Sequence, residues 1–287
     1  MNGRRIKFLW LAAAGLWCIT APAGCGEQAV EPVALDVKGV QAAADYSDLA
    51  AVLRGVFVTK RSIRRHRFIN PQSAKELADR LNRQLARLAV TGPTATPQLF
   101  HTPEAKLAYW YNARAAWALK LAMLQDFPPE LSRRRLYSRQ FRLDGRLTTL
   151  EQIDATLASD SDWRTLVAAP CVTLQRAGLP AEPFGPGDIR QRIAERLGEF
   201  IDDDERLLIS VARKCIYVPA VLWRFEGTLR KSHDDTYGTE GSTLTTGLLP
   251  YVSGSPHRRL QDAVGYRCVP DAEGYKLAIE ANARASH

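Results

Sequence analysis

The sequence holds no C-x-x-C, H-x-x-x-H or H-E-x-x-H spacing, and therefore none of the short ligand sets that mark a metal site. It has no phosphate-cradling glycine loop and no G-x-S-x-G elbow, which removes the two plainest signatures of nucleotide binding and of a serine hydrolase. The acidic run Asp202-Asp203-Asp204-Glu205 lacks the glycine and alternating oxygens of a calcium loop, and reads as a solvated helix end. No apolar run approaches the ~20 residues that a bilayer span needs. No internal repeat and no clear domain break is present. These absences predict a single folded domain that carries no metal and no cofactor.

What is present begins with an export signal. Arg4, Arg5 and Lys7 form a cationic start, followed by the apolar and small residues Phe8 to Ile19. Twelve helical residues reach about 18 Å, against about 30 Å of hydrocarbon. That length suits a signal-peptide core rather than a span. Ala23-Gly24-Cys25 then resembles a lipobox, although Pro22 stands where leucine is usual. The expectation is a signal over residues 1–24, lipidation at Cys25, and a protein tethered to membrane in the periplasm or cell envelope. Ala21-Pro22-Ala23 also fits ordinary cleavage, which would give a freely secreted protein.

Composition describes an ordinary globular chain, with 46% apolar and 24% charged residues among 287. Part of the formal charge of +8 belongs to the signal. The remainder suits an anionic envelope component or a protein partner, and export separates the chain from nucleic acid. Two basic runs, residues 60–67 and 133–142, are the candidate contact surfaces.

Residues 25–41 mix Glu, Pro and Val without helical period and read as a tether, so the domain is expected over 42–287. Apolar spacing predicts helices over 43–53 and 74–88. The strongest helix is expected from Pro103 to about Gln125, with Thr102 as cap, Pro103 at the tolerated first position and Glu104 complementing the dipole. Its apolar residues cover nearly the whole circumference, so it belongs in the domain centre. Asn112 and Arg114 on that helix must then find buried partners. Asp144-Gly145 predicts a hairpin turn, and Thr149 caps a short helix over 150–157. Leu166–Ala169 reads as a buried strand, 189–200 as a helix, 207–211 as helical or extended, and 218–229 as a helix. Residues 231–247, rich in Gly, Ser, Thr and Asp, read as the longest loop. The fold class expected is α+β: a helix-rich single domain with a small sheet around a buried central helix.

Several segments, in order, resemble the bacterial family called domain of unknown function 547 (DUF 547). Its W-hydrophobic-N-A-Y-N-A helix is matched by Trp110-Tyr111-Asn112-Ala113-Arg114-Ala115-Ala116. Its S-L-x-x-I-E-H helix is matched by Thr149-Leu150-Glu151-Gln152-Ile153-Asp154-Ala155, and its D-P-R-x-H-F-A-L-V-C segment by 162–171, ending at Cys171. The resemblance spans about residues 45–275. It implies that Asn112, Asp154 and Cys171 keep motif positions, whereas Arg114, Ala155, Leu166 and Arg176 stand where the family has tyrosine, two histidines and a second cysteine.

Cys171 is the one candidate nucleophile. A thiol hydrolase acting on peptide or acyl substrates would need a base in reach, and His101 and His233 are the candidates, with Asp234 or Asp235 as orienter. The plainer reading makes Cys171 a small buried apolar residue. The missing motif histidines turn the expectation toward a non-catalytic binding or scaffolding domain. Cys215 and Cys268 either form a disulfide, which would stabilise by about 4 kcal/mol, or remain thiols beside Lys214 and Arg267.

Overall fold

The helix from Pro103 to Met123 (α4) forms because its local signals and its tertiary position agree. Thr102 caps it, accepting from the Ala105 amide at 3.1 Å, and fifteen of its residues are buried. It stops where Asp126 and Phe127 turn left-handed, with φ of 57° and 49°, ahead of Pro128-Pro129. The computed structural model describes residues 45–57, 68–271 and 276–279. The expected signal, Cys25, the tether and the basic run at 60–67 lie outside them.

Helices α2 (Pro71–Glu76) and α3 (Ala78–Val90) pack against α4, and α1 (Ser47–Gly55) packs on α3. The segment expected as one helix over 74–88 is two. Asn70 caps α2, accepting from the amides of Gln72 and Ser73, with Pro71 at the first position, so the chain turns helical earlier than its apolar spacing suggests. Leu81, Leu85 and Leu88 then bury one face of α3. Asp48 on α1 binds Arg83 at 3.0 Å and Arg87 at 3.3 Å, which fixes α1 against α3.

The predicted hairpin is present as β1 (Phe141–Leu143) and β2 (Arg146–Thr148). Asp144 and Gly145 both take positive φ, 55° and 75°, the requirement of a two-residue hairpin turn. The Asp144 carboxylate accepts from the amides of Thr94 and Ala95, each at 2.8 Å. Phe141 stacks on Trp117 of α4 with centroids 4.1 Å apart. Thr149 and Gln152 then form a capping box on α5 (Leu150–Ala158).

Two expectations are corrected beyond this point. Leu166–Ala169 is not a strand: Arg164–Val167 is a single helical turn, α6. Asp162 starts it by accepting from the Arg164 amide at 3.0 Å, and a four-residue apolar run cannot by itself distinguish a buried strand from a buried turn of helix. Residues 231–247 are not a long loop either. After α7 (Ile189–Asp202), β3 (Leu208–Ser210), β4 (Cys215–Val218) and α8 (Ala220–Trp223), helix α9 runs from Glu226 to Tyr237 and α10 from Leu244 to Leu248. Gly238 closes α9 with φ of 62°. Gly247 brings α10 so close to α9 that a Cβ there would lie 2.8 Å from the Leu229 backbone.

Helix α11 (Ser255–Asp262) leads to β5 (Arg267–Pro270). Strand β4 is central, antiparallel to β3 and parallel to β5. The protein is thus helix-rich α+β as expected, with two small sheets among the described residues. The segment 276–279 stitches distant parts together: the amides of Ile69 and Leu174 donate to Ala278 and Lys276 at 2.7 and 2.9 Å, and the Ala278 amide donates to Val172 at 2.8 Å.

Candidate functional site

Arg114 sits midway along α4 with no exposed surface. A guanidinium cannot lose its charge, so full burial demands an anion. Asp154 on α5 supplies it in a two-pronged pair, Nε to Oδ1 at 2.6 Å and Nη2 to Oδ2 at 3.2 Å. Arg114 Nη1 also donates to the Pro170 carbonyl. That bond delivers the next residue, Cys171, to the same place.

Arg176 completes the cluster, with a guanidinium nitrogen 3.3 Å from Asp154 Oδ2 and its head 5.7 Å from the centre of the Tyr137 ring. Its Nη1 is enclosed without a hydrogen-bond partner. Two guanidiniums therefore face one carboxylate. Burial pushes the Cys171 thiol up, but Arg114 and Arg176 outweigh that and hold it below its usual range. A Cys171 thiolate would bring the cluster to neutrality. Burial likewise works against the Asp154 carboxylate, and the same two arginines overcome it, leaving Asp154 below the usual carboxylate range. Tyr137 is pushed well above its ordinary value by burial, so its hydroxyl stays neutral.

The segment 168–178, which carries Cys171 and Arg176, is held by arginine side chains acting on backbone carbonyls. Arg196 of α7 donates to Ala168 at 3.4 Å and to Gly178. Arg206 donates to Thr173 at 3.1 Å and to Arg176, while Asp203 holds its Nε at 2.8 Å. Burial lowers Arg196 to about 10, which leaves it charged at neutral pH. This wiring answers a strict need, since a buried irregular segment must satisfy its carbonyls somewhere.

The predicted residues divide into those brought together and those kept apart. Arg114, Asp154 and Cys171 meet. Asn112 does not join them: its amide donates to the Phe184 carbonyl at 2.9 Å and accepts from the Phe184 amide at 2.8 Å, a closed structural pair. His101 is exposed ahead of α4, and about 16 Å of helix separates Pro103 from Arg114. His233 lies on α9 rather than in a loop, with Nδ1 2.8 Å from Ser242 Oγ. Asp234 serves Thr239 and the Ser242 amide instead of orienting that imidazole. The hydrogen-bond partner of the Cys171 sulfur is Thr173 Oγ1, at 3.7 Å.

Cys215 and Cys268 are free thiols, contrary to the pairing considered from the sequence. They stand on adjacent parallel strands one residue out of register: Cys215 faces Arg267, and Cys268 faces Ile216. Neighbours offset by one residue project to opposite faces of a sheet.

Cys171 is 1% exposed, and no cleft reaches it through the groove along α7. That groove, about 410 Å³, is lined by Glu182, Asp188, Arg192, Glu195 and Glu199 among others, and by none of Arg114, Asp154 or Cys171. Among the described residues no group of histidine, cysteine and acidic side chains could hold a metal, and no helix is long and apolar enough to cross a membrane.

Sequence reasoning overlooked Arg196 and Arg206, and met Arg176 only as a departure from a motif. Arg196 had a readable signal. It lies among Ile189, Ile193, Leu197 and Phe200, all buried on one face of α7, where an arginine must find internal acceptors. Arg206 and Arg176 had none, because their partners come from irregular backbone.

Neither protein-family models, nor curated proteins, nor solved structures match this chain.

Proposed function

We propose that this chain is an exported, lipid-anchored, non-catalytic protein of the cell envelope, a divergent relative of DUF 547 that binds an anionic envelope component. The observation that carries the non-catalytic part is the state of the candidate site. Arg114, Asp154, Arg176 and Cys171 form an enclosed ionic cluster in which every charge is engaged by another member. Hydrolysis by Cys171 needs substrate access and a proton acceptor; the sulfur is covered, its hydrogen-bond partner is the Thr173 hydroxyl, and the guanidiniums that flank it can only donate.

Export rests on Arg4, Arg5, Lys7, the apolar stretch 8–19 and Cys25. Anionic preference rests on the arginines at 133–142. One observation favours the competing thiol hydrolase, the lowered range of Cys171 itself, since a thiolate is the nucleophilic form. The test is a panel of peptide, ester and thioester substrates offered to the full chain and to Cys171→Ala. Equal background rates in both are expected; turnover that the substitution abolishes would overturn the proposal. Fatty-acid labelling of the expressed chain is expected to disappear in Cys25→Ser, and labelling that persists would remove the anchor.

A further inference from the structure

Several surface arginines of this protein are paired with acids. Arg83 and Arg87 bind Asp48, Arg164 binds Asp162, Arg190 binds Asp160 and Arg230 binds Glu226. Unpaired arginines such as Arg54 and Arg258 stand singly elsewhere among the described residues, whereas the hairpin β1–β2 and the turn before it gather six. Arg133, Arg134, Arg135, Arg142 and Arg146 are exposed and Arg139 is half-buried. Among the described residues none of the six has an ion-pair or hydrogen-bond partner for its side chain. The acid within the hairpin, Asp144, is buried and committed to the amides of Thr94 and Ala95, and the exposed Glu130, three residues before Arg133, pairs with none of the six. Lys120 feels the same field: burial and then Arg139 hold its amine below the ordinary range.

An apolar side chain stands among these charges. Leu147 is 56% exposed and lies directly across the hairpin from Arg142, on the face turned away from Phe141 and the core. Water solvates the guanidiniums but gives Leu147 no partner. Guanidinium forks match phosphate oxygens in paired hydrogen bonds, and an exposed leucine gains only from an apolar layer beneath those phosphates.

We infer that this hairpin face docks on the surface of an anionic phospholipid bilayer, Arg142 and the arginines of the preceding turn on headgroup phosphates and Leu147 at the boundary of the acyl layer. Arg146, across from buried Leu143, belongs to the other face. The inference deepens the anionic-partner reading above and rests on it. Leucine among arginines favours a lipid surface over a soluble polyanion, which would use the charges and leave Leu147 in water.

The test is co-sedimentation of the full chain with vesicles of phosphatidylcholine alone or mixed with phosphatidylglycerol. The ratio of the two partition coefficients cancels any contribution of an N-terminal anchor. Wild type is expected to favour the anionic vesicles, and the preference to shrink as salt rises. Arg134→Gln and Arg142→Gln should each lower the ratio about fivefold. Leu147→Ser should weaken binding to anionic vesicles severalfold without changing the salt slope. Arg258→Gln, an exposed arginine on α11, should leave the ratio unchanged. All four side chains are surface groups, and unchanged urea midpoints will confirm that the variants fold. A ratio near one for wild type, or one indifferent to the hairpin substitutions, overturns the inference. Inorganic polyphosphate separates the two claims. Hairpin-dependent binding to polyphosphate without vesicle preference keeps an anionic partner and refutes the lipid surface. Binding to neither refutes both.

Discussion

Replacing Asp154 by Asn isolates the charge that holds the centre of the domain. Asparagine keeps the shape and one acceptor oxygen, but leaves Arg114, with no exposed surface, facing Arg176 without a carboxylate between them. Breaking a buried pair from one side typically costs about 3–5 kcal/mol. The retained amide oxygen and the 14% exposure of the Asp154 side chain place this case near the lower end, about 3 kcal/mol. With a urea slope of about 3 kcal/mol/M the midpoint should fall by about 1 M. The pH dependence gives a second reading. The folded carboxyl sits below its usual range, so its contribution is complete above the unfolded value of about 3.9. It is lost as pH falls through the lower folded value. The gap between wild type and Asp154→Asn should therefore close in acid. Arg114→Met with Asp154→Leu removes one charge of each sign and should cost less than the single change, because only Arg176, which Cys171 also faces, is left without Asp154. A midpoint shift under about 0.3 M for Asp154→Asn, or a double variant as damaged as the sum of its parts, would refute this account of the cluster.

Cys171→Ala should lose more stability at pH 9 than at pH 6, measured as urea midpoints. A thiol held below its range stabilises fully above its unfolded value of about 8.5, and loses that effect as pH falls through the folded value; a pH-independent difference would mean that Cys171 stays protonated. Mass spectrometry after mild oxidation should find Cys215 and Cys268 unlinked, and a bond between them would contradict the strand register. Gly247→Ala should destabilise by about 1–3 kcal/mol, because its methyl would press on the Leu229 backbone; an unchanged melting curve would show that α10 can shift. Thr149→Ala should cost about 1 kcal/mol by opening the capping box, read as a small fall in urea midpoint, and no fall would remove the box from the list of stabilising contacts.

The sequence by itself determined the parts whose signals are local and mutually consistent. Helix α4 carries its own cap, its own first-turn proline and an apolar surface all round, and the Asp144-Gly145 turn requires backbone angles those residues tolerate. It also required that Arg114 find buried partners, and it put Asp154 and Cys171 on the short set of candidates. Tertiary packing decided the rest. The turn at Arg164–Val167 is helical where Asp162 holds the Arg164 amide ahead of it, although its apolar residues suit a strand equally. The second half of helix α9, residues 231–237, has a polar sequence that reads as loop, and the helix holds because Leu229 is buried against α10 at Gly247. Arg176, Arg196 and Arg206 became central only once an irregular segment folded with carbonyls facing inward. Hydrophobic period and capping act within a few residues. Which buried charge meets which, and whether a cysteine ends in a cleft or under an ionic cluster, depends on contacts tens of residues apart.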